Sequence, residues 1–306
     1  MASAPASSLS RARALGTYAV YRASAFVLLV LPGPISRFVA SAVGVFAWAA
    51  SGPRRRIVAE NLAPVLGVHA DDRRLSPIVR RAYANYGVYW SDAAHLTTRE
   101  VNRRPEHFEM IGKEIWDDFA GQRSGGILVL PHIGCWEAGA AWTSAMGHPL
   151  TTVAEVLEPP QLFAWFARMR QRVDLTVLPV ATETVPRLLA TLSQGKMIAL
   201  LGDRDVTGDG VPVELFGQKT RIPGGPALLA LRSGAPLLPC AIYVRRGGRY
   251  GLQLLTPITA SRKGRLREDV ERVSQEVATA FEALIRMAPE QWHVFQPMWD
   301  SDEAGR

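Results

Sequence analysis

Apolar and polar positions divide this chain into two long apolar stretches followed by many short ones. Residues 14–31 and 35–51 are mostly apolar, separated by Pro32-Gly33-Pro34 and interrupted by Arg22 and Arg37. Beyond them, the runs 127–130, 151–154, 175–178, 197–201, 237–244 and 252–255 are short, apolar and rich in β-branched residues. Runs of that length suit strands buried on both faces. Segments 138–146, 160–172, 185–194, 227–232 and 267–286 lie between or after them and carry helical spacing. In the last, Val270, Val273, Val277, Phe281, Leu284 and Ile285 share one face.

Residues 54–66 and 71–97 also read as helices, the second with a core-facing stripe of Ile78, Ala82, Tyr86 and Tyr89. Residues 108–119 hold one strand and one short helix, whereas 213–225 read as a loop. Strands alternating with helices predict an α/β fold, a mixed central sheet flanked by helices. Residues 1–10 are rich in Ala, Ser and Pro and read as disordered. Residues 11–300 form a single domain in this reading, with no internal repeat and no long linker, and 11–56 are membrane-associating helices.

Three readings compete for that N-terminal segment. A signal peptide needs an uninterrupted apolar centre, which Arg22 breaks. A spanning helix needs about 20 apolar residues, and both stretches are too short or too charged. Two interfacial helices with arginines at the headgroup level fit best. Arg54, Arg55 and Arg56 add attraction to an anionic membrane surface. This predicts a peripheral protein on the cytoplasmic face of the membrane. The alternative is a buried helical hairpin of a soluble domain.

Charge narrows the partners. The chain has a formal net charge of +7 and a pI near 9.8, and only Lys113, Lys196, Lys219 and Lys263 are lysines. Arginine forks suit phosphate groups, although the bias also fits a GC-rich genome. The basic residues are dispersed and no nucleic-acid reading motif is present, which argues against a nucleic-acid partner. Cys135 and Cys240, the only cysteines, make neither a disulfide framework nor a zinc site.

The candidate chemistry sits at residues 125–137, where an apolar strand ends in Pro131-His132 and a Gly-containing turn leads to Glu137. On one continuous helix His132 and Glu137 would stand about 140° apart. With His132 in the turn and Glu137 in the first helical turn, the carboxylate can reach back to the imidazole, as a base and its orienter do. The plainer alternative is that Glu137 only favours the helix N-terminus. Cys135 is a possible nucleophile, but a small buried filler is the commoner role.

Two further strands end in polar groups, Glu155 after one and Asp203-Arg204-Asp205 after the other. Strand ends on one sheet edge can bring such groups together. Gly224-Gly225-Pro226 before a helix offers N–H groups to a phosphate, with Lys219, Arg221 and Arg232 nearby as binding candidates. The Gly-Lys-Ser/Thr element of a P-loop is missing.

In order along the chain, RRIVAENL (55–62), His132-x4-Glu137, GDRD (202–205), FGQKTRIPGGP (216–226), GAPLLP (234–239) and QWHVFQPMW (291–299) resemble the lysophospholipid acyltransferase-like family. The branch is that of the lipid A late acyltransferases, and within it the actinobacterial phosphatidylinositol mannoside acyltransferases are most similar. The resemblance covers about residues 12–300. It implies transfer of a palmitoyl group from palmitoyl-CoA to the 6-hydroxyl of a mannose on phosphatidylinositol mannoside. His132 is then the general base, with Glu137 in its relay and Asp203 and Asp205 in the same catalytic element. Glu155, Arg170 and Arg204 line the substrate site, and Lys219, Arg221 and Arg232 meet the CoA phosphates. Arg170 or the N–H groups of the 133–135 turn would hold the oxyanion. The implied chemistry uses acyl-CoA as co-substrate and no metal or other cofactor. Transfer to another glycolipid or lysophospholipid, or non-catalytic lipid binding, are the alternatives. Relatives in the lipid A branch often have a cleaner spanning helix than Arg22 allows here.

Overall fold

The computed structural model describes residues 8–122, 124–205 and 208–300. In chain order the helical N-terminal part is α1 (Ser8–Val30), α2 (Gly33–Ala50), α3 (Gly52–Leu66), α4 (Leu75–His95) and α5 (Thr98–Arg103). Then come β1 (Phe108–Ile111), α6 (Lys113–Ala120), β2 (Gly126–Leu130), α7 (Trp136–Ala145), β3 (Leu150–Ala154), α8 (Pro160–Gln171), β4 (Thr176–Pro179), α9 (Thr184–Ser193) and β5 (Met197–Leu201). The rest is β6 (Val211–Leu215), β7 (Gln218–Ile222), α10 (Gly225–Ser233), β8 (Leu237–Val244), β9 (Tyr250–Leu254) and α11 (Leu266–Met287). Of the stretch expected to be disordered, residues 1–7 lie outside the described residues, and Ser8 to Ser10 already belong to α1.

The central sheet is seven-stranded and mixed, in the order β1-β9-β8-β2-β5-β3-β4. Its β8, β2, β5, β3 and β4 run parallel, while β9 is antiparallel to β8 and β1 parallel to β9. The parallel strands read as continuous apolar runs because both faces are covered. Ile127, Val129 and Ile198 face one core with Val277 and Phe281 of α11. Leu128, Leu130 and Cys240 face the other with Ala138 and Ala141 of α7. Fully buried side chains such as Phe281 each contribute roughly 2–3 kcal/mol relative to exposure.

Residues 213–225 are not the loop expected from sequence. β6 and β7 pair as an antiparallel hairpin across a two-residue turn, Phe216 (φ 53°) and Gly217 (φ 71°). Positive φ at both turn positions is what matches strand twist in such hairpins. Val213, Leu215, Thr220 and Ile222 face inward, and Glu214, Lys219 and Arg221 outward. This alternation was disguised by Pro212 and the intervening charges.

The C-terminal segment wraps back onto α3. Buried Asn61 donates to the carbonyls of Val294 (3.1 Å) and Gln296 (2.7 Å) and accepts from the Met298 N–H (3.2 Å). Trp299 Nε1 donates to the Glu60 carbonyl at 3.0 Å. Two distant sequence motifs are thereby one structural unit, and it is this unit that brings residues 291–294 against the turn at His132.

Helix α2 is long and apolar enough to cross a membrane by length and composition, where the sequence reading found both apolar stretches too short or too charged. Its Ser36, Ala40 and Gly44 are buried, and the helix packs on α4. A Cβ on Gly44 would come within 2.2 Å of the Tyr83 carbonyl oxygen, so only glycine permits this approach. Arg37 donates to both Asp92 oxygens (2.5 and 2.8 Å) and to Tyr250 Oη (2.9 Å), which locks α2 to α4 and β9. The opposite face leaves Ile35, Phe38, Val43 and Phe46 exposed.

Candidate active site

β2 and β5 are neighbours in register, Leu130 opposite Leu201. Two residues beyond each partner stand His132 and Asp203, so strand pairing alone brings an imidazole to a carboxylate. His132 Nδ1 lies 2.5 Å from Asp203 Oδ1, and the His132 backbone N–H donates to Oδ2 at 3.0 Å. Trp292 Nε1 also donates to Oδ2, at 2.8 Å. Asp203 is fully buried, and the His132 side chain is 17% exposed. Burial by itself would raise the Asp203 pKa. The neighbouring His132 charge and the donors from His132 and Trp292 outweigh it and hold the carboxyl below its ordinary range. A carboxylate on Nδ1 fixes the proton there and turns the Nε2 lone pair outward.

Glu137, expected to orient His132, does not do so. It is buried in the first turn of α7, where Oε1 accepts from Tyr89 Oη (3.2 Å) and Arg170 Nε (3.3 Å) and Oε2 has no hydrogen-bond partner. Burial would lower the Arg170 pKa, but Glu137 and Tyr89 reverse this and raise it. Burial, then Glu137, pushes the Tyr89 phenol well up. Glu137 therefore anchors Arg170 rather than hydrogen-bonding to the histidine. Sequence reasoning had assigned Tyr89 to the core stripe and given Trp292 no role. The Trp-His pair within QWHVFQPMW was the only local signal for the second.

The turn between His132 and α7 is held from the C-terminal side. Gly134 has φ 61°, and a Cβ there would lie 1.8 Å from the Ile242 carbonyl oxygen. The Ile133, Gly134 and Cys135 N–H groups donate to Pro131, Gln291 and Ile242 carbonyls respectively. All three are engaged, so this turn does not supply the free oxyanion donors expected from sequence.

A cavity of about 770 Å³ opens at this strand edge. His132, Trp136, Glu155, Arg170 and Arg204 are among its lining residues. Its apolar walls come from both faces of the sheet, Leu128, Leu130 and Ala140 on the α7 side and Leu188, Leu200 and Leu229 on the α9–α10 side. Gly224, Gly225 and Pro226 also line it. Arg204 Nη2 donates to Gln296 Oε1 at 3.0 Å, and its Nε is buried without a partner.

Other expected site residues fall elsewhere. Asp205 accepts from the Gly208 and Gly210 N–H groups (2.8 and 2.9 Å) and shapes its own turn rather than meeting His132. Lys219 and Arg221 point outward from β7, and Arg232 stands exposed in the last turn of α10. None of these three lines the cavity, because strand alternation and helix phase direct them to solvent. Cys135 is buried and its thiol is pushed well up, first by burial and then by Glu137. A nucleophilic cysteine needs the opposite shift.

His293 is fixed beneath the site, its Nε2–H donating to the Gly134 carbonyl at 2.9 Å. Burial lowers its pKa to about 4, more than that hydrogen bond raises it. The unfolded chain thus takes up a proton at a pH where the folded one refuses it. This contribution to stability is complete above pH ~6.5 and is lost as pH falls toward 4, about 3 kcal/mol in all. His293→Gln keeps a donor to Gly134 and is expected to flatten the decline of Tm between these pH values. Thermal melts with the slope of the wild type would refute this.

The family model for bacterial lipid A biosynthesis acyltransferase matches residues 6–301. The phosphatidylinositol mannoside acyltransferase of Mycolicibacterium smegmatis is 32% identical over 286 residues, 92% of this chain and 91% of the relative. That of Mycobacterium tuberculosis is 32% identical over 248 residues, 79% of this chain and 76% of the relative.

Proposed function

The chain belongs to the bacterial lipid A biosynthesis acyltransferase family and is an O-acyltransferase, and from that premise we propose the following reaction. A long acyl chain, palmitoyl, passes from acyl-CoA to the 6-hydroxyl of a mannose on phosphatidylinositol mannoside. The observation that carries this reading is the His132–Asp203 pair opening onto a largely apolar cavity of about 770 Å³ at the strand edge. A sugar hydroxyl keeps its proton at neutral pH, so it needs a base as it attacks a thioester. His132 Nε2 takes that proton and Asp203 stabilises the resulting imidazolium. The oxygen attacks the thioester carbonyl, the tetrahedral intermediate collapses, and the CoA thiolate leaves and takes the proton back. Arg204 lines the cavity wall, and its guanidinium is the donor group at hand for the oxyanion. Arg170, held by Glu137, adds positive charge beside it. The cavity's apolar walls suit an acyl chain. This chemistry calls on no metal or redox cofactor.

A lipid acceptor implies work at a membrane, and α2 supports association with one. We read the attachment as peripheral, from the cytoplasmic face.

The test is incubation of the purified protein with labelled palmitoyl-CoA and purified inositol mannosides, with the position of the new ester determined. Transfer only to a different glycolipid or lysophospholipid would overturn the acceptor, and absence of both transfer and thioester hydrolysis would overturn the reaction. Cys135→Ser is expected to keep most of the wild-type turnover, with no acyl-protein adduct by mass spectrometry. A dead variant together with an acylated Cys135 in the wild type would establish a covalent route instead.

A further inference from the structure

Among the described residues, Asp203 receives one donor from outside His132, the indole N–H of Trp292 at 2.8 Å. That donor stands 89 residues further along the chain, and its neighbours are arranged to hold it there. Residues 291–293 run antiparallel to the turn after β2, with Ile133 bridged to Trp292. The Gly134 N–H donates to the Gln291 carbonyl (3.0 Å), and the His293 N–H donates to the His132 carbonyl (2.7 Å). Extended backbone sends alternate side chains to opposite sides. Gln291 takes one side and clasps Val244, accepting from its N–H (2.8 Å) and donating to its carbonyl (3.0 Å). His293 bonds the Gly134 carbonyl on that same side. Trp292 is left facing Asp203, fully buried, with the rings of Phe216 and Trp299 beside it. Asn85 of α4 fixes the start of the segment by donating to the Glu290 carbonyl at 2.8 Å.

We propose that Trp292 is a positioning residue of the His132–Asp203 pair. Its indole N–H holds Oδ2, leaves Oδ1 on the imidazole, and weakens the grip of the carboxylate on a protonated His132. The proposal rests on the reading of His132 as the base. A base must be unprotonated to accept the hydroxyl proton, and it works best when its proton affinity suits the operating pH. A carboxylate out of water attracts an imidazolium strongly, because little solvent screens the pair. A neutral donor on the far oxygen offsets part of that attraction. It stabilises the carboxylate most when the imidazole is neutral and the negative charge is uncompensated, and less once an imidazolium faces it. Loss of the donor therefore favours the protonated imidazole. The other charged or titratable groups around His132 are the Glu137–Arg170–Tyr89 network of α7, α8 and α4, then Glu155, Arg204, Asp209 and His293. The indole N–H bonds none of them, so their field is common to the wild type and to variants lacking that N–H. Burial holds His293 down to a pKa of about 4, so it stays neutral through the acid limb of activity.

Two full-length variants test this. Trp292→Phe removes the N–H but also shrinks the ring. Benzothienylalanine at position 292 keeps the shape of the indole and puts sulfur where the N–H was. In both, the half-point of the acid limb of kcat is expected to move up by about one pH unit, a tenfold change in proton affinity, since a hydrogen bond to a charged group is worth at least that much. Turnover at acid pH falls by roughly tenfold and recovers as pH is raised, while KM for acyl-CoA is unchanged. The imidazole is also titrated directly by NMR without substrate, its signal picked out among the six histidines by its loss in His132→Ala. That titration is expected to move by the same amount. A benzothienylalanine protein with the wild-type acid limb and imidazole titration would reduce Trp292 to a packing residue, even where Trp292→Phe fails to fold. A loss of kcat equal at every pH would do the same, and a displacement toward lower pH would overturn the proposal by its sign. The NMR titration needs no acyl transfer, so a displaced titration in a protein whose wild type transfers no acyl group would overturn the functional reading alone.

Discussion

His132→Ala is expected to lower acyl transfer by at least about 10²-fold while the protein folds normally. The imidazole is partly exposed at the cavity wall and meets Trp136 edge-on, so its removal leaves water-accessible space rather than a dry void. What disappears is the acceptor of the sugar proton, a contribution of typically 10²–10⁴-fold. The loss should fall on kcat, because the base acts in the transition state and adds little to binding of the acyl donor. The measurement is single-substrate kinetics with labelled acyl-CoA, alongside circular dichroism and thermal melts. Turnover within tenfold of the wild type would remove His132 from the mechanism.

Asp203→Asn is expected to cost a comparable factor, up to about 10⁴-fold where an orienting carboxylate fixes a catalytic imidazole, as in serine proteases. The reason is geometric. Asp203 accepts from three donors at once: His132 Nδ1, the His132 N–H and Trp292 Nε1. An asparagine has one acceptor oxygen and must point an NH₂ at one of these donors. Where that NH₂ faces Nδ1, it favours the other tautomer and turns a protonated Nε2 toward the hydroxyl. Stability also suffers, since a buried donor without an acceptor costs about 1–3 kcal/mol. The informative comparison is Glu137→Gln, which leaves the His132–Asp203 contact alone and loosens Arg170. It should cost less in kcat than Asp203→Asn. The double variant His132→Ala/Asp203→Asn should be no slower than His132→Ala, because the two groups act as a unit. A Glu137→Gln defect larger than that of Asp203→Asn would reverse the assignment of the orienting carboxylate.

The residues of this site were nearly all legible, but their pairing was not. His132, Asp203, Arg170, Arg204 and Glu155 each stand at a strand end or on a helix that the hydrophobic pattern locates to within a few residues. Local spacing favoured Glu137 as the partner of His132, since five residues is a short reach. Register decided otherwise. The parallel pairing of Leu130 with Leu201 sets His132 beside Asp203, 71 residues away in sequence, and no local periodicity encodes which strands become neighbours. Lys219, Arg221 and Arg232 lie off the cavity for a related reason. Proximity in sequence to Gly224-Gly225-Pro226 placed them near the cavity, while the hairpin's inward and outward alternation pointed the first two away from it.

Outside the β6–β7 hairpin, the sequence by itself determined the order of strands and helices, because buried runs and amphipathic periods are properties of neighbouring residues. It determined that a histidine would end the central strand, favoured a buried Cys135 over a nucleophile, and, through six ordered motifs, indicated which family the chain resembles. Only the tertiary structure decided the partners. It set Asp203 on His132, Glu137 on Arg170 and Asn61 on the C-terminal segment. It also turned one face of α2 toward α4 and left the other bare. Each of these depends on contacts between residues far apart in the chain, where strand register, helix phase and the exclusion of water act together.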